Sequence, residues 1–133
     1  MDIEIFTLCD FAEDIRGKLV IVGTFDALNA KQLPISLPTC HVATRIRFYS
    51  GEGGKLPFEI HIKSPDGNLI VPPVKGDANI FISPGAHSVS ANFVVGFGNL
   101  KFDVYGRHTV ILSVRGQELR TLPLFVNQPQ KEN

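Results

Sequence analysis

The acidic and histidine side chains of this chain are the residues whose types suit acid–base chemistry. Asp26 lies in the apolar stretch GKLVIVGTFDAL, residues 17–28, where a carboxylate could serve as a general base or nucleophile. The sequence places no histidine or second acid beside it, so a turn or capping role is the simpler interpretation. A hydrolase would need at least two residues of one loop-end set to converge in a pocket, namely Asp26, Asp66, Asp77, His87 and His108.

Two cysteines and an adjacent histidine are the candidate metal ligands. Cys40 and His41 are neighbours, and neighbouring residues of a strand point to opposite faces, so they cannot easily share one ion. Neither Cys9 nor Cys40 lies in the basic, glycine-marked or helix-starting context that activates a thiol. The glycine-rich segment SGEGGK lacks the Ser or Thr and the following helix of a phosphate-binding loop. We therefore expect no catalytic residue, no metal and no cofactor, and hence a protein that is not an enzyme.

The composition limits the possible partners. The 133 residues are enough for one domain, and 13 basic and 13 acidic residues give a formal net charge of zero. The chain therefore has no long-range electrostatic attraction for nucleic acid or for an anionic membrane surface, and neither is an expected partner. The N-terminus MDIEIFTLCD does not resemble a secretory signal, and no stretch is apolar for the length of a membrane span. We expect a cytoplasmic protein with reduced cysteines.

Hydrophobic residues alternate with polar ones along most of the chain. This period of two, interrupted by turn signals such as SPDGN at 64–68, indicates about eight or nine short strands and no helix of three turns. Two of the predicted strands are LIV at 69–71 and ANIFI at 78–82. DFAEDIRG at 10–17 is predicted to form a turn or a single helical turn. The sequence predicts an all-β fold, a single antiparallel β-sandwich over residues 1–127 with a polar tail at 128–133.

One pair of segments forms the clearest amphipathic pattern. CHVATRIRFY (40–49) and PFEIHIK (57–63) each alternate apolar and polar residues, and the loop between them suggests a hairpin with Phe48 opposite Phe58. In that register Arg47 faces Glu59. The polar side of this hairpin is a candidate protein-contact face, because Arg and Tyr are enriched in interfaces. Its residues are Arg45, Arg47, Tyr49, Glu59, His61 and Lys63.

The segment LKFDVYGRHTVILSVRGQEL, residues 100–119, resembles the penultimate-strand pattern of immunoglobulin-like sandwiches. In that pattern a glycine makes a corner and an aromatic residue packs across it. Here Gly106 takes the corner and His108 stands in place of the aromatic residue. By the alternation, His87 and His108 fall on apolar strand faces, whereas His41 and His61 point outward.

A longer part of the chain resembles a family of small uncharacterised bacterial proteins. The resemblance is carried by CDFAEDIRGKLVIVGTFDAL (9–28), the proline segment after it, RIRF, SPDG and YGRHTVILSV. It implies a small β-sandwich in a bacterial cytoplasm with no assigned activity.

The residues point to an interaction module that binds a protein partner or forms a homo-oligomer. Exposed edge strands would allow strand addition. One alternative is a small-ligand sandwich, for example for carbohydrate, although the chain has no Trp and only two Tyr for stacking. A hydrolase that uses loop His and Asp residues is the other alternative.

Overall fold

Nine β-strands form the protein in the computed structural model, which describes residues 1–130; residues 131–133 of the predicted polar tail lie outside the described residues. Residues 1–130 contain no helix, and so none able to cross a membrane. The strands are β1 (Asp2–Ile15), β2 (Lys18–Thr24), β3 (Ala27–Asn29), β4 (Ile35–Tyr49), β5 (Gly54–Lys63), β6 (Val74–Ile80), β7 (Ser88–Phe102), β8 (Gly106–Val114) and β9 (Gln117–Asn127).

The strands form two sheets that pack face to face. The first sheet has the order β2-β1-β4-β7 and the second has the order β3-β9-β8-β5-β6. Every pairing is antiparallel except that of the short β3 with β9, which is parallel. The predicted all-β sandwich is thus confirmed, with one parallel pairing that the sequence did not indicate.

Alternate side chains of both sheets fill the space between them. From the first sheet Leu8, Ile46 and Phe48 point inward, and from the second Ile62 and Leu112 meet them, each no more than 2% exposed. Burying such side chains contributes roughly 1.5–3 kcal/mol each relative to leaving them in water. This shared core fixes which face of every strand points outward, because successive residues of a strand alternate between its two faces.

The predicted hairpin between segments 40–49 and 57–63 is wrong. β4 pairs with β1 and β7 in the first sheet, so that Phe48 lies opposite Val89. β5 pairs with β6 and β8 in the second sheet, so that Phe58 lies opposite Gly76 and Val114. Residues 50–53 cross from one sheet to the other. The amphipathic pattern of the two strands is compatible with a hairpin and with a cross-sheet connection. Both arrangements bury the apolar faces of the strands in the same core.

Residues 10–15, predicted as a turn, instead extend β1 into a hairpin with β2. The turn itself is Arg16 and Gly17, whose φ angles are 52° and 82°. Two successive positive φ angles are the requirement of the tight turn that matches the twist of hairpin strands. At the other end of the hairpin, Gly23 has φ 68°, and a Cβ there would clash with the carboxylate of Asp10.

The β1–β2 hairpin (residues 10–24) covers part of the outer face of the first sheet. Val42 lies in the main core, so its neighbour Ala43 points to the opposite face, yet Ala43 is 0% exposed. Ala43 is instead buried in a second small cluster with Cys9 and Ala12, packed against Leu19, Ile21 and Val94. The hairpin therefore forms a partial third layer over β4 and β7.

Two smaller predictions also fail. Residues 69–71 form no strand and are joined to the fold by an isolated bridge between Lys63 and Leu69. The next strand, β6, begins earlier than predicted, at Val74. His87, expected on an apolar strand face, is exposed and precedes β7. His108 is fully buried, as expected.

We expect Ala43→Leu to loosen the β1–β2 hairpin, because the methyl side chain of Ala43 is already fully buried beneath it. Overpacking of this kind costs about 1–3 kcal/mol. Urea unfolding should show that loss, and amide hydrogen exchange should become faster at residues 10–24. Ser36→Leu, at an exposed position of the same strand, is the control. Equal effects of both variants, or unchanged exchange in the hairpin, would contradict the third layer.

Candidate functional site

The structure divides the six residues of the predicted contact face into two groups. Arg45, Arg47 and Tyr49 lie on β4, on the outer face of the first sheet, since the residues between them are buried in the core. The other three lie on β5, on the outer face of the second sheet, and are Glu59, His61 and Lys63. The two groups therefore occupy opposite sides of the sandwich. Their role in partner binding stays a prediction, but they do not share one surface.

On the first sheet, Glu4 of β1 joins the two arginines of β4. Its carboxylate accepts hydrogen bonds from Arg47 Nε at 2.9 Å and from Arg45 Nε at 3.2 Å. The hydrogen bond from Arg47, followed by the charges of both guanidinium groups, lowers the pKa of Glu4 below its usual value. The two guanidinium groups therefore share one carboxylate, which occupies their Nε donors.

The same network reaches β7 and the tip of the β1–β2 hairpin. Arg45 Nη1 donates to Asn92 Oδ1 at 3.0 Å, and Asn92 Nδ2 donates to Asp14 Oδ2 at 2.9 Å. Asn92 Nδ2 also donates to the carbonyl oxygen of Gly17 at 3.2 Å. The hydrogen bond from Asn92 lowers the pKa of Asp14. This arginine network, which comprises Glu4, Arg45, Arg47, Asn92 and Asp14, holds the hairpin tip against β7.

On the second sheet, the polar side chains of β5 pair locally. His61 Nε2 lies 2.6 Å from Glu59 Oε2, and Lys75 Nζ of β6 lies 3.8 Å from Glu59 Oε1. The hydrogen bond with His61 lowers the pKa of Glu59. This arrangement is an ordinary solvated sheet face with cross-strand charge pairs.

The most exposed apolar surface lies on the hairpin that sequence reasoning took for a turn. Phe11 and Val22 are cross-strand partners and are 45% and 53% exposed, and Ile15 and Val20, 47% and 37% exposed, lie on the same side. These four residues are called the hairpin face. The signal in the sequence is the even spacing of Phe11 and Ile15, which places both side chains on one side of an extended strand.

A cleft of about 290 Å³ lies beside His108 at one end of the sandwich. His108 is fully buried and packs edge-on against Phe102, with 5.1 Å between ring centroids. Its Nδ1 lies 3.2 Å from the carbonyl oxygen of Gly106, whereas Nε2 has no hydrogen-bond partner within residues 1–130. Desolvation by burial lowers the pKa of His108. The other lining residues are Ser64, Asp66, Asn68, Leu69, Ile70, Lys101, Asp103 and Val104.

The candidate hydrolase residues are mostly dispersed. Asp66 and His108 line the same cleft, but no hydrogen bond joins them. Asp26 lies in a shallow depression with Thr7, Thr24 and Phe25. Asp77 and His87 are exposed on and beside other strands. The structure thus assembles no nucleophile–base pair from this set in the described part of the chain.

The two cysteines are buried, unpaired thiols. Burial raises the pKa of Cys40 to about 11 and also raises the pKa of Cys9. A thiol with a raised pKa is a poor nucleophile at neutral pH. Among residues 1–130, no group of three or more His, Cys, Asp or Glu side chains is arranged to hold a metal ion.

The fold is a β-sandwich of two sheets with a covering hairpin. Residues 4–127 match the model of a family of unknown function, DUF6941, and the chain belongs to that family. This confirms the resemblance to an uncharacterised family that the sequence suggested. A search of the curated proteins finds no match.

Two solved structures are similar in fold to this chain. One is a β-glucosidase from Listeria innocua, with 12% identity and a TM-score of 0.48 over 87% of this chain and 18% of that chain. The other is a β-glucosidase from Listeria innocua in complex with isofagomine, with 13% identity and a TM-score of 0.47 over 87% of this chain and 19% of that chain. The chain therefore spans less than a fifth of either enzyme.

We expect the stability of the protein to fall as the pH drops below 6.5, the ordinary pKa of His108. The fold favours neutral His108, so the unfolded chain binds the proton more readily. Acidification therefore stabilises the unfolded state relative to the folded state. His108→Phe keeps a ring at this position. It should make the free energy of unfolding less dependent on pH between pH 6.5 and the lowered pKa of His108. Urea unfolding at several pH values measures this. His87→Gln, at an exposed position, should keep the slope; an unchanged slope in His108→Phe would refute the assignment.

Proposed function

We propose that this domain is a non-catalytic interaction module that binds a protein partner through the hairpin face. The single observation that carries the proposal is the exposure of Phe11, Ile15, Val20 and Val22 together on one side of one hairpin. Single exposed apolar residues are normal on protein surfaces, but a contiguous group of them is typical of an interaction site.

The construction of the hairpin supports this role. Its other side is occupied by packing against Ala43 and Val94, and its tip is bonded to Asn92. The hairpin face is therefore held on a fixed support, so little conformational entropy is lost when a partner binds.

The charges around the hairpin face favour a protein over a membrane or a nucleic acid. One acid and one base, Glu13 and Lys18, lie on the same side as the apolar residues, and the net charge of the chain is zero. Binding to anionic lipid or to phosphate backbones relies on clusters of Lys and Arg. A protein surface with apolar side chains and a mixed polar rim is the complementary partner.

The predicted contact residues contribute unequally to this proposal. Arg45, Arg47 and Tyr49 lie on the sheet face that the hairpin partly covers, and Tyr49 is 41% exposed. We assign these three to the polar rim of the contact surface. Glu59, His61 and Lys63 lie on the opposite sheet and are left out of it.

A bacterial cytoplasm is part of the same proposal. Both cysteines are free and buried, which fits a reducing compartment, although buried thiols also occur elsewhere. The alternative of a carbohydrate site receives little support, because the His108 cleft has no Trp, Tyr or Phe among its lining residues on which a sugar ring would stack.

We expect Val22→Lys to weaken partner binding by at least about tenfold, since a charge at the centre of an apolar contact is desolvated without a partner. The tagged protein captures its partner from an extract of its native host. The partner is identified, purified and titrated against each variant by calorimetry. Phe81→Lys is the matched control, because Phe81 is 75% exposed and lies outside the hairpin.

The control should bind as the unmodified protein does. Circular dichroism and thermal unfolding should be the same for both variants, since both positions are exposed. Loss of binding in Phe81→Lys as well as Val22→Lys, or full binding in Val22→Lys, would remove the hairpin face from the proposal. Failure to capture any partner that binds directly would count against the function itself.

A further inference from the structure

We infer that a second copy of this chain pairs with the first along the free edge of β7, antiparallel and about a two-fold axis. The two first sheets would then form one continuous sheet. This inference deepens the proposed function by naming one partner. It uses the backbone edge of β7 and not the exposed apolar side chains of the hairpin face, so either proposal can fail without the other.

The sandwich has four edge strands, and three of them carry features that discourage pairing. β3 has only three residues, β6 carries Lys75 and Asp77, and β2 begins with Lys18 and ends beside the positive-φ Gly23. Short length, charge and backbone irregularity are the usual protections of a sheet edge. β7 is 15 residues long, and its residues 88–98 contain no charged residue, no proline and no positive φ; its one positive-φ residue, Asn99, follows this stretch.

The side-chain pattern of β7 is compatible with its own antiparallel copy. Its inward side carries the apolar residues Val89, Ala91, Phe93 and Val95, and its outward side begins with small polar residues. In a two-fold antiparallel pair that continues the sheet, inward residues face inward residues, whatever the register. No register within 88–100 opposes two like charges, which would be destabilising.

The core is less well closed along β7 than elsewhere. Val89, Ala91, Phe93 and Val95 are only half-buried, although they pack against the main core, and Phe58 meets Phe93 at 4.9 Å between ring centroids. Further along the strand, Leu100 is 1% exposed. An added strand would cover this open flank along the first half of β7.

Charge favours a copy of the same chain as the occupant. The net charge is zero, so two copies do not repel one another at long range. On the strand beside β7, Arg45 and Arg47 both pair with the carboxylate of Glu4, which offsets one of their two charges. A strand of this length presents roughly 50 Å of backbone edge, and two-fold pairing uses the same edge on both copies.

The test measures the mass of the purified protein in solution by sedimentation and light scattering at micromolar concentrations. The unmodified protein should be a dimer. Val95→Lys places an inward charge on the edge and should raise the dimer dissociation constant by at least about tenfold. Thr121→Lys adds the same charge at an exposed position of β9, an interior strand, and should leave the dimer intact.

A second variant covers the case in which Val95→Lys fails to fold. Gly98 is an exposed residue of β7 without a positive φ, and a Cβ there would come no closer than 4.0 Å to the carbonyl oxygen of Pro38. Gly98→Lys therefore adds a charge to the edge strand without disturbing the core. This charge should discourage strand pairing and weaken the dimer. Hydrogen exchange compared between high and low concentration should show concentration-dependent protection within residues 88–100.

Several results would overturn the inference. These are a monomeric unmodified protein, a dimer that persists in Gly98→Lys, and concentration-dependent protection at residues 10–24 in place of 88–100. A dimer lost in Val22→Lys but kept in both β7 variants would assign self-association to the hairpin face. In that outcome the proposed function stands and the β7 pairing does not.

Discussion

Burial of β4 on both faces around Val42 and Ala43 is the constraint on which the rest of the structure depends. Val42 and Ile46 enter the core between the sheets, while Ala43 faces the other way and is equally inaccessible. A central strand flanked by β1 and β7 has its backbone groups paired on both sides, so only its outer side chains need further cover. The β1–β2 hairpin supplies that cover, and as a result its own outer side is left facing solvent.

The arginine network and the apolar cluster act together at this place. Ala43 and Val94 hold the hairpin by packing, while Asn92 binds the hairpin tip by hydrogen bonds to Asp14 and Gly17. Exposed ion pairs contribute little to stability by themselves, so the packing carries the attachment and the polar contacts set its direction. The hairpin face is therefore held on the same rigid sheet that carries the free edge of β7.

Pattern-based prediction succeeded where one physical signal has one structural meaning. Alternation of apolar and polar residues indicates strands, and the turn signals between them led to a sandwich of about the right number of strands. The burial of His108 followed from its place in such an alternation. The prediction failed for residues 10–15, because Glu13 and Asp14 interrupt the apolar–polar alternation, whereas an exposed hairpin strand tolerates acids on both of its sides.

The sequence by itself determined the fold class, the buried histidine, the absence of a strong charge and membership of an uncharacterised family, since these follow from local periodicity, composition and motif spacing. Only the tertiary structure decided that β4 and β5 belong to different sheets, which separates Arg45 and Arg47 from Glu59 and His61. An amphipathic strand specifies which of its sides is buried but not which strand lies next to it. That choice depends on contacts between distant parts of the chain, and it determines which surface remains available to a partner.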